Sequence, residues 1–172
     1  MKVIESTVET MPRELEYTFE EGCFGRLLVA EDSEGICFLG YCDGDGRETL
    51  ADLQRRFPKV RLRPMEPERS SGLNGWDVTF HLIGTPFQLD VWRALREIRS
   101  GERVSYAELA ARIGRPSAVR AVASAVARNP IAYYVPCHRV VRSDGSTGQY
   151  HWGSARKRRM LDAERAGAIS LQ

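Results

Sequence analysis

Apolar and polar positions change their rhythm about halfway along the chain. Between Gly25 and Cys42 the stretch GRLLVAEDSEGICFLGYC holds two apolar segments, Leu27 to Ala30 and Ile36 to Tyr41, separated by the polar run Glu31-Asp32-Ser33-Glu34-Gly35. Short apolar runs around a polar, glycine-containing turn predict a β-hairpin. Leu50, Leu53 and Phe57 then recur at helical spacing in ETLADLQRRF until Pro58 ends the run, and WDVTFHLI alternates like a further strand. The segment from Pro64 to Asn74, PMEPERSSGLN, is rich in Pro, Ser, Gly and charge and predicts the loop before that strand. A short mixed sheet with a helix across it is the simplest packing for this half.

From Gly84 onward the period is helical. In PFQLDVWRALREI, Phe87, Val91, Leu95 and Ile98 fall on one face, predicting an amphipathic helix that Gly101 closes. Ser105 is a helix cap with Glu108 as its capping-box partner, Leu109 and Ile113 supply the buried face, and Gly114-Arg115-Pro116 makes a turn. Ser117 is expected to cap a second helix that runs to about Arg128. Helix, short glycine-containing turn and helix in a basic region form the helix-turn-helix pattern. The second helix, SAVRAVASAVARN, is nearly all Ala, Val and Ser, with Arg120 and Arg128 as its only charges. It cannot read many base edges, which takes long polar side chains. Two readings remain open for it: a buried core helix, or a close-approaching minor-groove element that reads little sequence and deforms the duplex.

Composition changes this picture mainly through charge. The chain of 172 residues, 42% hydrophobic, is long enough for one generous domain or two small ones. Its net charge of +2 hides an asymmetry: ten Lys and Arg against sixteen Asp and Glu in residues 1 to 82 leave −6, while fifteen against seven in residues 83 to 172 leave +8. Arginine dominates the basic half, and its planar fork suits phosphate contacts, so that half is a candidate nucleic-acid surface or a solvated charged face. The N-terminal MKVIESTVETMPRELEY is acidic and polar where a signal peptide has an apolar core, and no apolar run approaches the roughly eighteen residues of a membrane span. A protein of the cytosol, or of wherever its chromosome is, is expected. Cys23, Cys37 and Cys42 contain no C-x-x-C unit, so packed free thiols are expected there rather than a metal site.

The remaining cysteine stands in YYVPCHRVV, Tyr133 to Val141, directly before a histidine. A thiolate is the nucleophilic form of cysteine, and a neighbouring imidazole can hold or remove its proton near pH 7. Alternatively, Tyr133, Tyr134 and Val135 form a buried strand and Cys137 is one more small apolar side chain.

With the Ala-rich helix, Asn129-Pro130 and PCHRVV in place, the chain resembles the O6-alkylguanine-DNA alkyltransferases, also called methylated-DNA-protein-cysteine methyltransferases. The likeness runs from GTPFQLDVW through VSYAELA, RAVASA, NP, PCHRVV and GQY to ARKRRMLDAE, roughly the C-terminal half, and RSDGS and YHWG resemble the C-terminal domains of bacterial adaptive-response alkyltransferases. The resemblance implies an α+β fold: a small N-terminal mixed-sheet, ribonuclease H-like domain over residues 1–83, and a C-terminal winged-helix or helix-turn-helix domain over residues 84–172 that binds DNA and carries the alkyltransferase site. It implies a monomer that flips O6-alkylguanine, mainly O6-methylguanine, out of double-stranded DNA from the minor groove. The alkyl group passes irreversibly to the protein's own cysteine, with no cofactor and no metal.

Residue by residue, the resemblance makes Cys137 the nucleophile and His138 the group that withdraws its proton through an intervening water. Adjacent residues on an extended backbone point to opposite faces and do not bond directly. Glu164 orients the histidine, and Tyr106 donates to guanine N3 as the base leaves. Backbone groups of Cys137, Val140 and His151 recognise the base, and Arg120 fills the hole it leaves. Ala118, Val119 and Ala121 contact DNA from the same helix. Asn129 is the hinge that aligns the cysteine loop, Tyr150 a pocket wall and Arg139 a buttress. Trp152 stands where several relatives have small residues and is expected to narrow the pocket against benzyl-sized adducts. The run Arg156-Lys157-Arg158-Arg159 is either a phosphate contact or a solvated helix face. Two other classes of function compete: a damage-binding protein that transfers nothing, against which Cys137 counts, and a helix-turn-helix regulator with a reactive thiol, against which the poor reading capacity of the Ala-rich helix counts.

Overall fold

A computed structural model of the chain describes residues 1–66, 69, 71, 73 and 77–168. Its contacts divide into two compact units, Met1–Thr85 and Pro86–Gln172. Among the described residues, no helix is long and apolar enough to cross a membrane.

The first unit is a mixed sheet of six strands among the described residues: β1 (Lys2–Thr7), β2 (Glu14–Gly22), β3 (Gly25–Glu31), β4 (Ile36–Tyr41), β5 (Arg61–Pro64) and β6 (Thr79–Gly84), in the order β1-β6-β4-β3-β2-β5. The expected hairpin is β3 and β4, antiparallel, with a register shift at Ala30/Glu31. Asp32 closes its turn by accepting from the amides of Glu34 (2.8 Å) and Gly35 (3.1 Å). Gly35 has no tolerable replacement, because a Cβ there would lie 2.5 Å from the Thr79 carbonyl oxygen. β4 is buried at every position, as a near-continuous apolar strand with a neighbour on either side should be. Helix α1 (Arg47–Arg56) inserts Leu53 into a core with Leu15, Leu28, Phe38, Phe57 and Val60.

Three strands depart from the expectation. β2 flanks the hairpin, and β1 and β5 pair in parallel with β6 and β2. Much of the loop expected over 64–74, and the beginning of WDVTFHLI, lie outside the described residues. His81 of β6 ties this sheet together: its Nδ1 lies 2.8 Å from Asp32 Oδ2 and its Nε2 2.7 Å from Ser6 Oγ of β1. Cys37, 3.9 Å from the same ring, is buried, and burial first, then the Asp32 charge, pushes its thiol pKa far up. Cys23, Cys37, Cys42 and Cys137 are all free thiols.

The second unit begins with α2 (Pro86–Arg96), which starts on a proline whose missing amide costs nothing at a helix N-terminus. It buries Leu89, Val91, Trp92 and Leu95, and ends at Arg96 rather than at Gly101, the chain closing through 3₁₀-type bonds to Ala94 and Leu95. β7 (Val104–Ser105) pairs in parallel with β8 (Val140–Val141). Between them stand α3 (Tyr106–Arg112), whose Ser105–Glu108 capping box is complete, and α4 (Val119–Ala127). Gly114, at φ 70°, makes the intervening turn. Ser117 does not cap α4: residues 115 to 118 form a turn closed by Ala118 N donating to Arg115 O, so the helix starts later with Ala118 at its cap. α4 buries Val122, Ala125 and Val126, receives the Trp92 indole N–H on the Ala125 carbonyl (2.9 Å), and exposes Arg120, Ala121, Ser124 and Ala127. It is therefore a core helix on one side and a small-residue surface on the other. Helix α5 (Ser154–Arg165) completes the unit.

Candidate active site

Asn129 builds the cysteine loop. It is fully buried, its Nδ2 donates to the carbonyls of Ile131 (3.0 Å) and Val135 (2.8 Å) and to Cys137 Sγ (3.1 Å), and its Oδ1 accepts from the Ile131 amide (3.0 Å). One side chain thus closes the segment from α4 to the cysteine and fixes the sulfur. The segment is a series of turns rather than the strand considered for Tyr133 to Val135. Cys137–Arg139 form a 3₁₀ turn, which corrects the extended geometry expected of the Cys-His pair.

Behind the turn lies a buried ionic cluster. His138 Nε2 donates to Glu164 Oε1 (2.9 Å), and Arg139 donates to both Glu164 oxygens (Nε at 3.0 and 3.2 Å, Nη2 at 2.7 Å) and to the Ile98 carbonyl. Burial alone would raise the Glu164 pKa, but the hydrogen bonds from His138 and Arg139 hold it at about 2. An ionised Glu164 fixes the neutral tautomer of His138 as Nε2–H. That leaves Nδ1, buried and without a partner among the described residues, as the basic atom. Burial lowers the His138 pKa against the pull of Glu164, and raises that of Cys137 against the Asn129 bond.

In front of the turn opens a cavity of about 670 Å³, lined by Tyr106, Cys137, Arg142, Tyr150, Trp152 and Lys157 among others. The Tyr150 hydroxyl is 3.9 Å from Cys137 Sγ, and its ring meets Trp152 edge-on at 5.5 Å. Trp152 is buried in this wall, and His151 lines it while exposed. Burial, then the Cys137 charge, raises the Tyr106 pKa, so its hydroxyl keeps its proton. Arg120, Ala118, Val119 and Ala121 do not line the cavity; α4 contributes Ala123, Val126 and Ala127 instead. Val140 lies outside the lining as well, and its carbonyl accepts from Lys157 Nζ at 2.6 Å.

Lys157 is the residue that the sequence reading missed. It belongs neither to a phosphate-contacting run nor to a solvated face: it is 1% exposed, 5.9 Å from the Tyr150 ring, and burial lowers its pKa to about 8. A signal was present, because Lys157, Met160, Leu161 and Glu164 share the inward face of α5 at three- and four-residue steps. Arg158 and Arg159 are exposed as expected of that run.

The family model described as 6-O-methylguanine DNA methyltransferase, DNA binding domain, matches residues 86–166. The bifunctional transcriptional activator/DNA repair enzyme Ada of Escherichia coli is 43% identical over 159 residues, which cover 86% of this chain and 45% of that protein. The chain thus spans about half the length of the first relatives it matches. A methylated-DNA-protein-cysteine methyltransferase of Methanosarcina acetivorans is 37% identical over 86% of this chain and 97% of its own length. Among solved structures, Mycobacterium tuberculosis OGT in complex with DNA superposes with a TM-score of 0.70 at 34% identity, covering 88% of this chain and 93% of that one.

Proposed function

The chain belongs to the methylated-DNA-protein-cysteine methyltransferase family, and from that premise we propose that it repairs O6-alkylguanine in double-stranded DNA by moving the alkyl group onto Cys137, each molecule reacting once. The observation that carries this reading is the placement of Cys137 Sγ: on a cavity wall, held at 3.1 Å by Asn129, directly before a histidine whose far nitrogen is bound to a buried carboxylate.

The cavity is large enough for a base, which must leave the duplex to enter it. His138 accepts the thiol proton at Nδ1 through an intervening water, and Glu164 stabilises the imidazolium so formed. The sulfur then attacks the alkyl carbon; the S–C bond forms as the C–O6 bond breaks, and the electron pair departs with the guanine. Tyr106, still protonated, donates to N3 of the leaving base, which leaves more readily neutral than as an anion. The product is a thioether with no route back, so the stoichiometry follows from the chemistry. Residues 84–172 act as the DNA-binding and transfer domain, with α4 in the minor groove, its small exposed residues allowing close approach and Arg120 filling the vacated stack. Residues 1–83 form a separate mixed-sheet domain. The protein works as a cytoplasmic monomer, nucleoid-associated through DNA.

Intact-protein mass spectrometry after incubation with a duplex carrying one O6-methylguanine tests this. A gain of one methylene on the peptide holding Cys137, without further turnover, is expected, and Cys137→Ser abolishes the gain while retaining binding. Tight binding by the unsubstituted protein with no mass gain would mean recognition without repair.

A further inference from the structure

Tyr133 is the one non-glycine residue with positive φ among the described residues, at 67°. That backbone region disfavours any L side chain, and bulky ones most, so a tyrosine held there stores strain whose compensation must be sought nearby. Its origin is visible. Asn129 grips the carbonyls of Ile131 and Val135 on either side of it, and the Val135 amide closes back on Ile131, so the chain must reverse at Tyr133. Its consequence is also visible: Tyr133 is 8% exposed, and its ring lies nearly parallel to the His138 imidazole, with centroids 5.5 Å apart and planes at 16°, while Tyr134 packs edge-on against it at 6.0 Å.

We propose that Tyr133 is a positioning residue for proton transfer from Cys137, its ring face holding the His138 imidazole in plane and stabilising it once it becomes a cation. The inference rests on the reading that His138 takes the thiol proton. His138 is fully buried; among the described residues Glu164, Arg139 and Lys157 are the charged groups acting on it, and Cys137 precedes it in the chain. Glu164 is already bonded to Arg139 as well as to Nε2, while Arg139 and Lys157 oppose a second positive charge. An aromatic face within about 6 Å favours a cation through its quadrupole, more strongly in a desolvated site. Tyr133 supplies that face without adding another buried carboxylate.

Three replacements in the full-length chain separate electronics from packing: Tyr133→Phe, Tyr133→Leu, and incorporation of pentafluorophenylalanine at 133, which keeps the ring's shape and inverts its quadrupole. The readouts are the NMR titration of His138 without DNA and the pH dependence of single-turnover transfer to an O6-methylguanine duplex. The phenylalanine variant keeps both. The fluorinated variant lowers the His138 pKa by about one unit and slows transfer by up to about tenfold near pH 7. The deficit closes as pH rises and the thiol ionises unaided. Tyr133→Leu follows the fluorinated variant in pH dependence. An unmoved His138 titration in the fluorinated variant, or a loss equal at every pH, overturns this inference while transfer by the unsubstituted protein leaves the functional reading standing. Absence of transfer by the unsubstituted protein overturns that reading first.

Discussion

Glu164 accepts from His138, from Arg139 and, at 3.2 Å, from the Gly101 amide, so one carboxylate joins α5, the cysteine turn and the loop after α2. Buried ion pairs of this kind add modest net stability when intact, yet removal of one partner strands the other charge. The pH dependence follows from the sign of the shift. The folded pKa, about 2, lies below the ordinary 4.5, so the unfolded chain binds more protons between those values. The contribution of Glu164 is therefore fully present above about pH 4.5 and is lost as pH falls through 2. A shift of this size corresponds to roughly 3 kcal/mol. Denaturant midpoints measured from pH 6 downward should show this acid limb in the unsubstituted protein. Glu164→Gln should flatten the limb and lower stability near neutrality by roughly 3 to 5 kcal/mol, because Arg139 is then buried without its counter-charge. An acid limb unchanged in Glu164→Gln would assign the loss to other carboxylates.

The elements differ in how far they could be read from sequence, and the difference is physical. The capping box of α3 was legible because every partner lies within four residues: Ser105 Oγ accepts from the Glu108 amide at 3.1 Å and the Glu108 carboxylate accepts from the Ser105 amide. Ser105→Ala removes one of these bonds and should cost about 1 kcal/mol, visible as a fall of about 2–4 °C in Tm, with no change in transfer rate per folded molecule. A fall in rate beyond that loss would mean that the cap also places Tyr106. The hairpin β3–β4 was legible for the same local reason. Strand β1 was not, since KVIEST earns its place only by pairing with β6, more than seventy residues away. β2 did carry a signal in the alternation of Leu15, Tyr17 and Phe19 with Glu14, Glu16, Thr18 and Glu20, which its acidic composition masked. In the site, PCHRVV left Cys137 as either a nucleophile or a packed thiol, and the resemblance pointed to Cys137, Asn129 and Glu164, of which the structure places Asn129 against the sulfur and Glu164 against His138. Nothing local distinguished Lys157 from Arg156 and Arg158; only its phase on the buried stripe of α5 did. The reversal at Tyr133 was illegible, because it depends on the grip of Asn129 on two carbonyls that no short pattern encodes.

At the scale of the whole molecule the two halves of the sequence carry opposite charge, −6 over residues 1–82 and +8 over residues 83–172, so on the proposed function the modest net +2 understates the positive charge that a phosphate backbone would meet at the basic half. Affinity for DNA should depend on the arginines of that half individually rather than on total charge. Each cation that neutralises a phosphate releases counterions and adds about one to the slope of log affinity against log salt. Arg158 and Arg159 are exposed on α5, the helix that also supplies Lys157 to the cavity. Arg61 and Arg63 are exposed in the first unit and lie against Glu14, at 3.8 and 3.3 Å. Replacing either pair by alanine changes the net charge equally, which makes one a control for the other. Fluorescence anisotropy with an undamaged duplex, over salt concentrations from about 50 to 200 mM, should show a slope reduced by about one to two for Arg158→Ala/Arg159→Ala. The slope should stay unchanged for Arg61→Ala/Arg63→Ala. Equal reductions in both would mean that the duplex responds to the overall field of the protein, and the placement of the DNA surface on the second half would fail.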